Sequence, residues 1–82
     1  MVKVKLFAGF RELAKKSNFD ISLGRDISLN EFISRLCDEI PALKKPLAER
    51  NAIIAVNHKV ADEDTVIKNG DEVAIFPPVS GG

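Results

Sequence analysis

The chain opens with a period of two. In "VKVKLF", Val2, Val4 and Leu6 fall on one side and Lys3, Lys5 and Phe7 on the other, the alternation of a strand with one covered face. The period then lengthens: in "GFRELAKKS", Phe10, Leu13 and Ala14 keep helical spacing for about two turns, too few to stand without packing, so a short docked helix is expected. "FDISL" alternates again with Phe19, Ile21 and Leu23 inward, and the short connection suits an antiparallel neighbour of the first strand.

The clearest element starts at Ser28. "SLNE" has the S-x-x-E spacing of a capping box, in which the serine hydroxyl and the Glu31 carboxylate each satisfy an orphan backbone N–H, and Ile27 and Phe32 stand where a hydrophobic staple would put them. Leu29, Phe32, Ile33, Leu36, Cys37 and Ile40 recur along one helical face until Pro41, which cannot continue the helix. "ALKKPLAER" reads as a connector with one helical turn around Leu47. "AIIAVN" is apolar enough for a strand covered on part of both faces, and "NHK" turns the chain. "VADEDTVIKNGDEVAIF" then supplies an acidic turn, a short apolar stretch at Val66 and Ile67, the Asn69-Gly70 turn and a last strand. That strand sets Val73 and Ile75 on one side and Glu72, Ala74 and Phe76 on the other.

Two strands, a long helix and two or more further strands are best satisfied by an α+β fold with one mixed sheet curled around the main helix. Placing the first and last strands side by side and parallel makes the crossover through that helix right-handed. This is the ubiquitin-like β-grasp arrangement, with residues 1–76 as the folded body and 77–82 as an extended C-terminal tail.

Composition narrows the functions. A chain of 82 residues holds one core and buries about 60% of its unfolded surface. With 12 basic against 12 acidic residues, no summed field would hold nucleic acid or an anionic membrane, and neither is expected as a partner. Cys37, the single cysteine, cannot form an internal disulfide, and no apolar run marks a signal peptide or a span, so a cytoplasmic location is expected.

Internal catalytic chemistry is sparse. No G-x-x-x-x-G-K or G-x-G-x-x-G offers a phosphate cradle, so the chain has no visible means of activating anything with ATP itself. Cys37 lies on the apolar helix face, where a small buried hydrophobe is the simpler reading than a nucleophile. His58 lacks a second histidine or cysteine at metal spacing and a serine partner. Asp62, Glu63 and Asp64 lack the rest of a calcium loop, so no metal site is expected. What stands out is "FPPVSGG". Gly81 and Gly82 have no Cβ and could thread a channel too narrow for side chains. Pro77 and Pro78 favour an extended path leading away from the last strand, through Val79 and Ser80. The Gly82 carboxylate is then the candidate reactive group, the alternative being an ordinary frayed end.

These residues resemble a known family. "FAGFRELA" after the first strand, the capped helix, and "AIIAVNHKVADEDTVIKNGDEVAIFPPVSGG" are similar to the small, sulfur-carrying subunits of molybdopterin synthase, over essentially the whole chain. The resemblance implies that a separate ubiquitin-activating-type adenylyltransferase uses ATP to adenylate Gly82, and that a sulfur donor protein then converts it to a thiocarboxylate. The sulfur passes to a cyclic pterin precursor in a large subunit, within a heterotetramer, to build a dithiolene that holds molybdenum or tungsten. The chain itself would bind no cofactor and would not be catalytic alone. Phe7 and Phe76 fall on the sheet face opposite the helix and are expected to form an apolar patch for the partner. Arg11 and Glu12 match the family's "RE" and read as surface or pairing residues. Three alternatives stay open: a sulfur carrier for another acceptor such as thiazole or a tRNA base, a ubiquitin-like protein tag, and a binding module with an incidental Gly-Gly end.

Overall fold

The computed structural model describes residues 1–49 and 52–78. Strands β1 (Val2–Leu6) and β7 (Glu72–Phe76) lie parallel at the centre of a five-stranded sheet whose spatial order is Asn18–Ile21, β1, β7, Ile53–Val56 and Lys59–Val60. The short edge strand β2 (Asn18–Ile21) runs antiparallel to β1, and β4 (Ile53–Val56) runs antiparallel to β7 and to β5 (Lys59–Val60). A second, two-stranded pairing joins β3 (Ile27–Ser28) to β6 (Val66–Ile67). Between β1 and β2 runs helix α1 (Ala8–Ala14); after β3 comes α2 (Leu29–Glu39), then a 3-10 turn (Pro41–Leu43) and the short α3 (Lys44–Ala48). This is the β-grasp expected from the alternation of periods.

The core lies between α2 and the inner sheet face. Val2, Val4, Leu6, Val73 and Ile75 project from the two central strands and are buried, as are Leu29, Phe32 and Leu36 on α2. Burying a ring such as that of Phe32 contributes about 1.5–3 kcal/mol. Ser28 caps α2, its Oγ accepting from the Glu31 N–H at 3.1 Å, while Ile27 and Phe32 are both buried as a staple requires.

Three details depart from the expectation. Among the described hydrogen bonds the Glu31 carboxylate does not reach back to the Ser28 N–H. Its Oε2 instead accepts from Arg25 at 2.8 Å and Arg35 at 3.4 Å, since a guanidinium competes well for a carboxylate. Strand β2 stops at Ile21, and Leu23 is buried beyond it: Asn69 holds its backbone, with Oδ1 accepting from the Leu23 N–H at 3.3 Å and Nδ2 donating to the Leu23 carbonyl at 2.9 Å. The "ALKKPL" connector is more ordered than its pattern suggests, because Leu43 and Leu47, one turn apart, are both buried against the core.

Candidate functional site

The same alternation that fills the core builds a second surface. Partners in the β1–β7 register put Lys3 beside Glu72 and Lys5 beside Ala74 on the outer face, opposite α2. The β4–β7 register adds Ile53 beside Phe76 and Ala55 beside Ala74, and the β4–β5 register sets Val60 beside Ala55. One row of this face is therefore Phe7, Phe76 and Ile53. The next is Lys5, Ala74, Ala55 and Val60.

Phe7 reaches its place because the parallel ladder runs one residue past β1. Its N–H donates to the Ile75 carbonyl at 3.2 Å, and Ala8, at φ 51°, then turns the chain into α1. The Phe7 and Phe76 rings stack with centroids 4.6 Å apart and planes 12° from parallel. Such pairs are worth about 0.5–1.5 kcal/mol beyond the area they bury. Phe7 is nevertheless 39% exposed, and Phe76 is half-buried. Val60 is 77% exposed, far more than a valine needs for folding.

Charge borders this apolar surface. Glu72 receives the Lys5 ammonium on Oε1 at 3.2 Å, and the exposed His58 ring stands 3.6 Å from Oε2. An apolar centre with a charged rim is the anatomy of a protein-binding surface. The sequence alternation places Phe7 and Phe76 on this face, and the fold adds Val60, Ile53 and Ala55 beside them. The signal for Val60 lies in "NHK". Asn57 and His58 both take positive φ, 52° and 71°, in the two-residue hairpin turn that asparagine favours, and that turn fixes Val60 opposite Ala55.

The last strand feeds straight into the tail. Pro77 is half-buried and Pro78 exposed; Val79, Ser80, Gly81 and Gly82 lie outside the described residues. Arg11 and Glu12 are exposed on α1. The other candidates fall away from this region or serve the fold. Cys37 is half-buried on α2, and burial pushes its thiol up despite the opposing Lys44 charge, which disfavours the nucleophilic thiolate. Asp62 organises its own turn: its Oδ1 accepts from the Asp64 N–H at 2.9 Å and its N–H donates to Thr65 Oγ1 at 3.0 Å. Among the described residues no three His, Cys, Asp or Glu side chains gather as a metal site, and no helix is long and apolar enough to cross a membrane.

Comparison with known proteins places this geometry. The ThiS family matches residues 4–82. The molybdopterin synthase sulfur carrier subunit of Chlamydomonas reinhardtii is 31% identical, over 99% of this chain and 98% of its own. Among solved structures, SAMP1, small archaeal modifier protein 1, of Haloferax volcanii superposes with a TM-score of 0.86 at 28% identity, covering 99% of this chain and 98% of that one. A chain from the complex of subunits 1 and 2 of the molybdopterin-converting factor of Helicobacter pylori gives a TM-score of 0.67 at 32% identity, with 99% and 97% covered.

Proposed function

Because the chain belongs to the ThiS family, we propose that it is the sulfur carrier subunit of a molybdopterin synthase, a reactant-bearing protein that is not catalytic by itself. The body, residues 1–76, docks on a large subunit through the face that carries Phe7, Phe76 and Val60. Residues 77–82 form the arm that delivers the sulfur. The supporting observation is placement: the stacked rings end the strand from which Pro77 and Pro78 depart, so a partner bound to that face meets the arm at its root.

A carboxylate becomes electrophilic only when one oxygen is turned into a leaving group. A Gly82 oxygen attacks the α-phosphorus of ATP on a separate adenylyltransferase, releasing pyrophosphate. Sulfide-level sulfur supplied by a donor protein then attacks the acyl carbon and displaces AMP, leaving a thiocarboxylate. Its anionic sulfur bonds to a carbon of the cyclic pterin precursor as an oxygen substituent leaves that carbon, and water then cleaves the acyl–sulfur bond, returning the Gly82 carboxylate and leaving a thiolate on the pterin. The partner supplies the pterin pocket and charge stabilisation, and the carrier supplies position. The setting is cytoplasmic, with no nucleic acid or membrane involved.

Incubated with its adenylyltransferase, ATP and a sulfur donor, the chain is expected to gain the mass of one oxygen-to-sulfur exchange, located at Gly82 by fragmentation mass spectrometry. Unchanged mass beside an active enzyme would overturn the reading. The close superposition on SAMP1 favours a second use, in which a lysine amine attacks the activated Gly82 to form an isopeptide bond. Denaturing gels of the activation mixture would then show bands heavier than the chain.

A further inference from the structure

A second apolar surface lies at the root of the tail, on the α1 side. Gly9, Phe10 and Leu13 of α1, Pro46 of α3, and Pro77 and Pro78 enclose an open groove of about 250 Å³. Among the described residues its lining side chains are all apolar or glycine. Phe10 forms the buried floor, while Leu13 is 48% exposed on the wall. At Gly9 an added Cβ would meet nothing within 4 Å, so the groove is open there too.

The chemistry of the lining restricts the occupant. Small-molecule sites run to about 300–1,000 Å³ and carry a few convergent polar groups that orient the ligand. This groove is smaller and, among the described residues, presents none from its side chains. It suits a protein side chain, one leucine- or phenylalanine-like anchor of the kind that fills pockets in interfaces.

We propose that the groove seats an apolar side chain of the large subunit, making a second grip on the carrier beside the Phe7–Phe76 face. This rests on the function proposed above. Two observations choose that occupant. The first is continuity: Gly9 lies two residues from Phe7, and Pro77 directly follows Phe76, so the groove and the aromatic patch are built on the same two chain segments. The second is reach. Four residues follow Pro78, and at 3.3–3.6 Å each they span at most about 14 Å. A partner that brings the Gly82 carboxylate to its reacting centre must close on the chain within that distance of Pro78, which itself lines the groove. Holding the root from two sides fixes the direction in which the arm leaves, where a misplacement of about 1 Å costs productive geometry.

The test titrates the full chain into purified large subunit by calorimetry. Leu13→Glu places a charge on the groove wall, and Gly9→Leu adds bulk at a groove-lining position whose backbone is not left-handed. Each variant is expected to bind about tenfold or more weakly, as for loss of one interface anchor, while still gaining sulfur from the adenylyltransferase as the parent chain does. Binding within about twofold of the parent by a folded Gly9→Leu chain, under conditions where Phe76→Arg binds poorly, would overturn the groove and leave the proposed function standing. A parent chain that does not bind the large subunit would overturn both. Equal loss of sulfur loading would overturn the assignment to the large subunit.

Discussion

The two faces of the central strand pair share a backbone and little else. On the inner face, Val2, Val4, Leu6, Val73 and Ile75 are all at most 2% exposed, and each touches the helix-packed core. On the outer face, one residue along in each case, Phe7 and Phe76 stack in the open and Lys5 pairs with Glu72 across the two strands. The inner face answers to volume and water exclusion. The outer face keeps large apolar groups partly open to solvent, as the docking surface proposed above requires. Because the strand period is two, neighbouring residues on β7 face the core and the outer surface in turn, so substitutions can test the core and the proposed docking face separately.

The largest effect is expected inside. Ile75→Ala removes a fully covered side chain and should cost about 2–5 kcal/mol, out of roughly 4–12 kcal/mol for a domain of this size. Urea denaturation followed by circular dichroism checks it. Once corrected for the unfolded fraction, affinity for the large subunit should be unchanged. A separate loss of affinity would mean that the two faces are not independent.

Next comes Phe76→Arg, one residue along. Affinity for the large subunit should fall by about 2 kcal/mol or more, roughly a factor of 30, as for a central interface aromatic. The loss of stability should stay near the stacking contribution of about 0.5–1.5 kcal/mol. Comparable losses in melting and in binding would place the ring among the core residues instead.

The smallest effect belongs to the rim. Glu72→Gln removes the partner of Lys5 and His58, both well exposed, and should change stability by no more than about 1 kcal/mol. The difference should shrink toward zero in about 1 M salt, where the Debye length is roughly 3 Å. A larger change that persists in salt would make the border charges part of the fold.

Much of this division is legible in the sequence. "VKVKLF" and "DEVAIF" each carry a clean two-residue period, and "SLNEFISRLCDEI" carries both its cap and its apolar face, so local physics names the strands, the helix and the inward residues. What escaped depends on long-range pairing. Asn69 clamps Leu23 from 46 residues away, and nothing local to either residue announces it. Val60 looks like an ordinary strand valine until a two-residue turn fixes its register. Pro46 sits in a stretch with almost no periodicity, and only the folded chain brings it to the groove beside Pro77. Alternation alone dictates which side of the strand the phenylalanines take. Their meeting required the parallel register that only the assembled sheet supplies.

The most direct test of a docking face joined to a reactive arm is single-turnover sulfur transfer. The chain is first thiocarboxylated, then mixed with the large subunit and the cyclic pterin precursor, and its intact mass is followed in time. The thiocarboxylate mass should revert to that of the carboxylate as sulfur appears in the pterin. A chain lacking Gly81 and Gly82 should fold within about 0.5 kcal/mol of the parent and never acquire the sulfur. Persistence of the thiocarboxylate on the parent chain, in the presence of a large subunit that binds it and holds the precursor, would contradict the assignment.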